Sequence, residues 1–120
     1  ELDLAGNALE ALPDEIVRMP SLALLDVSQN RLAALPDSLG ALRQLTVLRA
    51  AGNQITALPE SVDGLESLRL LDLSDNRLRA LPPQIMRLKN LRLVLLRGND
   101  FSPEARRTVR AWLPQADVRF

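Results

Sequence analysis

Five asparagines, Asn7, Asn30, Asn53, Asn76 and Asn99, stand 23 residues apart, and the residues around them recur in step. A fixed period of this length means that one structural unit is built again and again, so it restricts the fold more than any other feature. Leu25-Asp-Val27-Ser-Gln-Asn30-Arg-Leu32-Ala-Ala-Leu35-Pro36 aligns with Leu71-Asp-Leu73-Ser-Asp-Asn76-Arg-Leu78-Arg-Ala-Leu81-Pro82. Leu48 to Pro59 is the copy between them. Leu2 to Pro13 is a first copy without its opening residues, and Val94 to Phe101 is a fifth that ends early.

Each copy contains leucines at alternate positions. Period-two spacing predicts a short strand with one face turned inward. Leu32, Ile55 and Leu78 turn back toward the same interior, and Leu35, Leu58 and Leu81 follow. Pro13, Pro36, Pro59 and Pro82 suit the first turn of a short helical or 3₁₀ segment, where a missing N–H costs little. Asp14, Asp37 and Glu60 come next, where the positive end of that turn favours an acid. Ile16, Leu39, Val62 and Ile85, then Met19, Leu42, Leu65 and Leu88, are expected to close the core from the far side. One copy cannot bury these groups alone. Stacked about 4.8 Å apart, the copies share one core and one parallel sheet. The recurrent asparagine then satisfies backbone groups at a bend in an apolar column, since its amide both donates and accepts.

The pattern L-x-x-L-x-L-x-x-N-x-L, followed by x-x-L-P-x-x-I/L-x-x-L, resembles the leucine-rich repeat family over nearly the whole chain. The Leu-Pro variant is similar to intracellular and bacterial members. The resemblance implies an α/β repeat solenoid: a right-handed curved stack with a short parallel sheet on the concave face and short helical or 3₁₀ turns on the convex face. It also implies a protein-binding role. Residues 1–101 are expected to hold the repeats and 102–120 a C-terminal cap. In the cap, Ser102 is a good N-cap and Pro103 fits the first helical position. Ala105, Val109, Trp112 and Leu113 lie near one helical face, the helix should stop before Pro114, and Val118 and Phe120 add a last apolar edge. The tail resembles the closing segment of bacterial leucine-rich repeat proteins. At the other end Glu1 enters the middle of a copy, so Leu2 and Leu4 are expected to meet solvent, further residues upstream or a packed neighbour.

The residues between the inward leucines face outward on the strand side. In register they form one row of Leu24, Val47, Leu70 and Leu93, a second of Asp26, Arg49, Asp72 and Leu95, and a third of Ser28, Ala51, Ser74 and Arg97. The apolar row reads either as the centre of a partner site ringed by charge or as strand-favouring side chains that pack on one another. The charged row reads either as a specificity element or as register support worth well under about 1 kcal/mol per pair. The candidate partner-binding residues are therefore Leu24, Asp26, Ser28, Val47, Arg49, Leu70, Asp72, Ser74, Leu93, Leu95 and Arg97. Such a face offers roughly 400 Å² from five strands, against about 800 Å² per side for a standard interface. More repeats, use of a lateral edge, or weak binding is expected.

Catalysis has little to work with. The chain contains no His and no Cys, which removes the usual general base and thiolate chemistry and leaves no metal or other cofactor implied. Asp26 and Asp72 fall about 10 Å apart, near the upper limit for an inverting carboxylate pair. Arg49 between them stabilises both charged forms, where a general acid needs the reverse. No enzyme activity is expected of these residues. No apolar run is long enough to span a membrane.

Charge is balanced overall, with 15 basic and 15 acidic residues, but it is not evenly placed. Residues 1–76 carry 12 acids and 5 arginines, and residues 77–120 carry 3 acids, 9 arginines and Lys89. The basic end reads either as solvated arginine or as a site for an acidic partner. The lack of interleaved aromatics argues against nucleic acid. Opposed charges at the two ends allow weak head-to-tail self-association. Lys89 is the only lysine. That skew has two readings: a GC-rich bacterial genome, or lysine avoidance near ubiquitin-transferring enzymes. The alternative to a free-standing interaction module is thus the substrate-recognition part of a larger bacterial effector enzyme, such as a ubiquitin ligase, whose catalytic domain lies elsewhere. The chain does not begin with Met, which suggests a fragment or a processed product.

Overall fold

The leucine period closes into a stack of coils. In the computed structural model, which describes Glu1–Phe120, each coil contributes one strand to a single parallel sheet. The strands are β1 (Leu2–Asp3), β2 (Leu24–Asp26), β3 (Val47–Arg49), β4 (Leu70–Asp72), β5 (Leu93–Leu95) and β6 (Asp117–Arg119), in spatial order β1-β2-β3-β4-β5-β6. Leu25, Leu48, Leu71 and Val94 pair in direct register and are all buried. Strictly sequential parallel order is the arrangement that lets a strand every 23 residues shield its neighbours.

On the opposite side lie four 3₁₀ turns, Asp14–Arg18, Leu39–Ala41, Glu60–Gly64 and Pro83–Arg87. Their inward residues Ile16, Leu39, Val62 and Ile85 are buried. The prolines sit one step earlier than expected. Pro13, Pro59 and Pro82 are extended, with ψ between 144° and 149°, and form the N-cap rather than the first turn. Their carbonyls accept from Ile16, Val62 and Ile85, so proline serves here as a rigid acceptor before the turn. Gly40 and Gly64 let two neighbouring turns touch: a Cβ on Gly40 would collide with the Ser61 carbonyl.

Thirty apolar residues form one continuous core. Leu42, Leu65 and Leu88 close it as expected, but Met19 does not; it is 43% exposed. Among residues 1–120 its turn packs against one neighbouring turn, whereas those of Leu42, Leu65 and Leu88 are flanked on both sides. Leu2 and Leu4 are half-buried and pack against the core from the same end.

The asparagines hold the column together. Asn53 Nδ2 donates to the carbonyls of Val27 (3.0 Å) and Ala50 (3.1 Å), and its Oδ1 accepts from Leu32 N (3.0 Å). Asn30, Asn76 and Asn99 repeat this pattern one coil before or after. Every such amide bonds its own coil and the preceding one, which removes the cost of burying those polar atoms.

After β5 the pattern changes. Helix α1 (Pro103–Trp112) begins at Ser102, whose Oγ accepts from Ala105 N at 3.1 Å. It ends before Pro114 and sends Val109 and Leu113 into the core. The last apolar edge is a strand, β6, which puts Val118 beside Val94. Phe120 meets Phe101 edge-on at 5.3 Å, and Arg106 and Arg110 lie over its ring. No helix is long and apolar enough to cross a membrane.

Candidate functional site

The outward positions of the sheet form the expected rows. Leu24, Val47, Leu70 and Leu93 stand side by side in direct register, each half-buried. Alternation along each strand places them opposite the buried leucines, so their exposure follows from the pleat. Beside them run Asp26, Arg49, Asp72 and Leu95, also in register. Arg49 is exposed and the other three are half-buried. Ser28, Ala51 and Ser74 continue the face as half-buried positions beyond the strand ends, and Arg97 ends that row exposed.

The charged row behaves differently from a simple ladder. Asp26 Oδ1 accepts from Ser28 N and Asp72 Oδ1 from Ser74 N, both at 3.0 Å. Asp3 does the same with Ala5. Short acidic side chains bond their own backbone two residues on, and this competes with cross-strand pairing. The ion pairs of the chain are Arg43–Glu66, Arg87–Asp63 and Arg119–Asp117, so Arg49 is left unpaired between two carboxylates. Each aspartate keeps its second oxygen for another donor. The face thus presents an apolar stripe, acceptors held in place by their own turns, and one free guanidinium.

Two features go beyond the rows read from the sequence. The turns that follow the strands place Gln29 and Asp75 at φ of 57° and 56°, at the positions occupied by Gly6, Gly52 and Gly98 in the other coils. The extended stretches that leave these turns form a recess of about 500 Å³ bounded by Thr56, Arg77, Arg79 and Asp100. Residues one and three after each asparagine share a side of the chain, so the 23-residue alignment carried the signal for this recess.

Comparison with known proteins agrees with this architecture. A family model described as leucine rich repeat matches residues 1–55, and one described as leucine rich repeats in two copies matches residues 43–83. The structure of a leucine-rich repeat protein from Leptospira interrogans is 34% identical and superposes with a TM-score of 0.98. That match covers 99% of this chain, while the chain spans 30% of the Leptospira protein. No curated protein matches the chain. Repeats of this kind generally serve as protein-binding scaffolds and are typically non-catalytic. By its period, its sheet and these matches, the chain belongs to the leucine-rich repeat family.

Proposed function

We propose that the chain binds a partner protein through its strand face, centred on Leu24, Val47, Leu70 and Leu93. The observation that carries this reading is the unbroken apolar row in direct register on the outer face of the sheet. A contiguous apolar strip rimmed by charge is the usual anatomy of a recognition surface. Asp26, Arg49 and Asp72 supply the rim, with Ser28, Ser74, Leu95 and Arg97 completing it. The carboxylates, already fixed by Ser28 and Ser74, lose little freedom when a partner donates to their second oxygens, which lowers the cost of binding.

The test is a comparison of proteins captured by the immobilised chain and by a Leu70→Glu plus Arg49→Glu variant. Loss of the captured proteins supports the reading. Unchanged capture of every partner rejects it.

A second reading makes these repeats the recognition part of a larger bacterial enzyme. Its support is the single lysine among 15 basic residues, together with the bacterial source of the similar structure. Finding a ubiquitin-transferring domain in the same reading frame supports it, and a reading frame of repeats alone rejects it.

A further inference from the structure

The recess on the flank of the stack has an unusual composition. Arg77 and Arg79 stand on either side of Leu78, which is fully buried. The backbone between them is pinned: Leu78 N donates to Asn99 Oδ1 at 2.9 Å, Leu78 O accepts from Asp100 N at 2.9 Å, and Arg77 N donates to Ile55 O at 2.9 Å. Two guanidinium groups therefore rise from one rigid base. Neither takes part in an ion pair or a side-chain hydrogen bond, and the hydroxyl of Thr56 across the recess is likewise unused.

Next to it lies a second, mainly apolar recess of about 200 Å³, walled by Ala80, Leu81, Ala105, Thr108, Val109 and Trp112. Arg79 lines the first recess and Ala80 the second. Consecutive Cα atoms are about 3.8 Å apart, so the two separate recesses adjoin along the backbone, and a ligand that spans both would lie in a flank groove from the basic fork to the α1 surface. Asp100 sits in the basic part and offers an acceptor there.

We propose that this groove binds an extended acidic peptide of a partner, with an acidic side chain on Arg77 and Arg79 and a nearby apolar side chain against Trp112. Charge complementarity selects the acid, because paired guanidinium forks match carboxylate geometry. The apolar recess selects the neighbouring residue. Asp100 favours a peptide over a free anion or a nucleic-acid backbone, since its carboxylate repels a phosphate and can accept from the backbone N–H groups of an extended peptide. Alternate side chains of an extended peptide share one side, so a single short segment reaches both recesses. The groove lies off the sheet and stands independently of the strand-face reading.

Trp112 is the only tryptophan and the chain has no tyrosine, so intrinsic fluorescence reports on this groove directly. The probes are a capped tripeptide of aspartate, glycine and leucine, and its asparagine counterpart. The expected result is a saturable change in Trp112 emission at low salt, with the asparagine peptide roughly two- to fivefold weaker. An Arg77→Gln plus Arg79→Gln variant weakens the aspartate peptide by a similar factor and abolishes the difference between the two peptides. The Leu70→Glu plus Arg49→Glu variant leaves the titration unchanged. Equal binding of the two peptides, or no saturable change, overturns the proposal on the unaltered chain, whatever the fold of any variant. So does a Trp112 response to a single-stranded oligonucleotide in the absence of one to the aspartate peptide.

Discussion

The side chain of Gln29 lies over Gly52, with Nε2 2.5 Å from where a Cβ on Gly52 would stand. Both residues occupy the left-handed region, at φ of 57° and 68°. The longer residue thus fills the space that the glycine of the next coil leaves open. Gly52→Ala is expected to destabilise the chain by about 1–2 kcal/mol, from left-handed strain and displacement of Gln29. Gln29→Gly removes one strained side chain and should make Gly52→Ala cheaper. A double-mutant cycle in urea checks this, and strictly additive effects would show that the two positions are not coupled.

The buried amides should dominate the polar contribution to stability. Asn53→Ala leaves the Leu32 N–H and the carbonyls of Val27 and Ala50 without this partner. Loss of buried partners of this kind predicts a cost of about 2–4 kcal/mol. The side chain of Asn7 bonds only Leu4 and Ala5, in exposed geometry, so Asn7→Ala should cost under about 1 kcal/mol. The denaturation midpoints of the two variants, compared with the m-value unchanged, test the order.

Neighbouring leucines on β4 should separate stability from binding. Leu71 is fully buried, so Leu71→Ala predicts a loss of about 3–4 kcal/mol by cavity formation. Leu70 is half-buried on the opposite face, and Leu70→Ala should cost about 1 kcal/mol or less. Thermal melts of both variants, run beside the capture experiment, show whether Leu70 matters more to the partner than to the fold.

The closing helix depends on a single hydroxyl at its start. Ser102→Ala removes the acceptor for Ala105 N and predicts about 1 kcal/mol of destabilisation. Because the first turn of α1 carries the change, hydrogen exchange at Ala105 and Arg106 should rise well before exchange at Leu71. Uniform acceleration across the chain would contradict this.

Much of the architecture was legible because it was written several times over. The buried leucines of β2 to β5, the 3₁₀ turns at Ile16, Leu39, Val62 and Ile85, and the register of the outward rows all follow from one period. Local exceptions were harder to read. Met19 aligns with three buried leucines, but burial at that position depends on a neighbour on each side. The carboxylates of Asp26 and Asp72 align with Arg49, but each bonds its own turn, a choice made over two residues rather than across coils. Strand β6 falls 24 residues after β5, out of phase with the repeat, because a helix has replaced the shorter 3₁₀ turn. The flank groove combines residues from three repeats with α1, and α1 belongs to no repeat.

The backward reach of the asparagines gives the stack a direction. Detaching the last coil strips Asn99 from Leu78 N and Leu73 O, so main-chain groups of the coil before it are orphaned. Detaching the first coil takes the Asn7 and Leu9 N–H groups and the Leu4 carbonyl away from Asn30, whose side chain keeps its bond to Val27 O and can turn its free oxygen to water. The two ends therefore part differently: loss of the last coil leaves bare main-chain groups on its neighbour, loss of the first leaves a bare side chain, and α1 with β6 covers the former side.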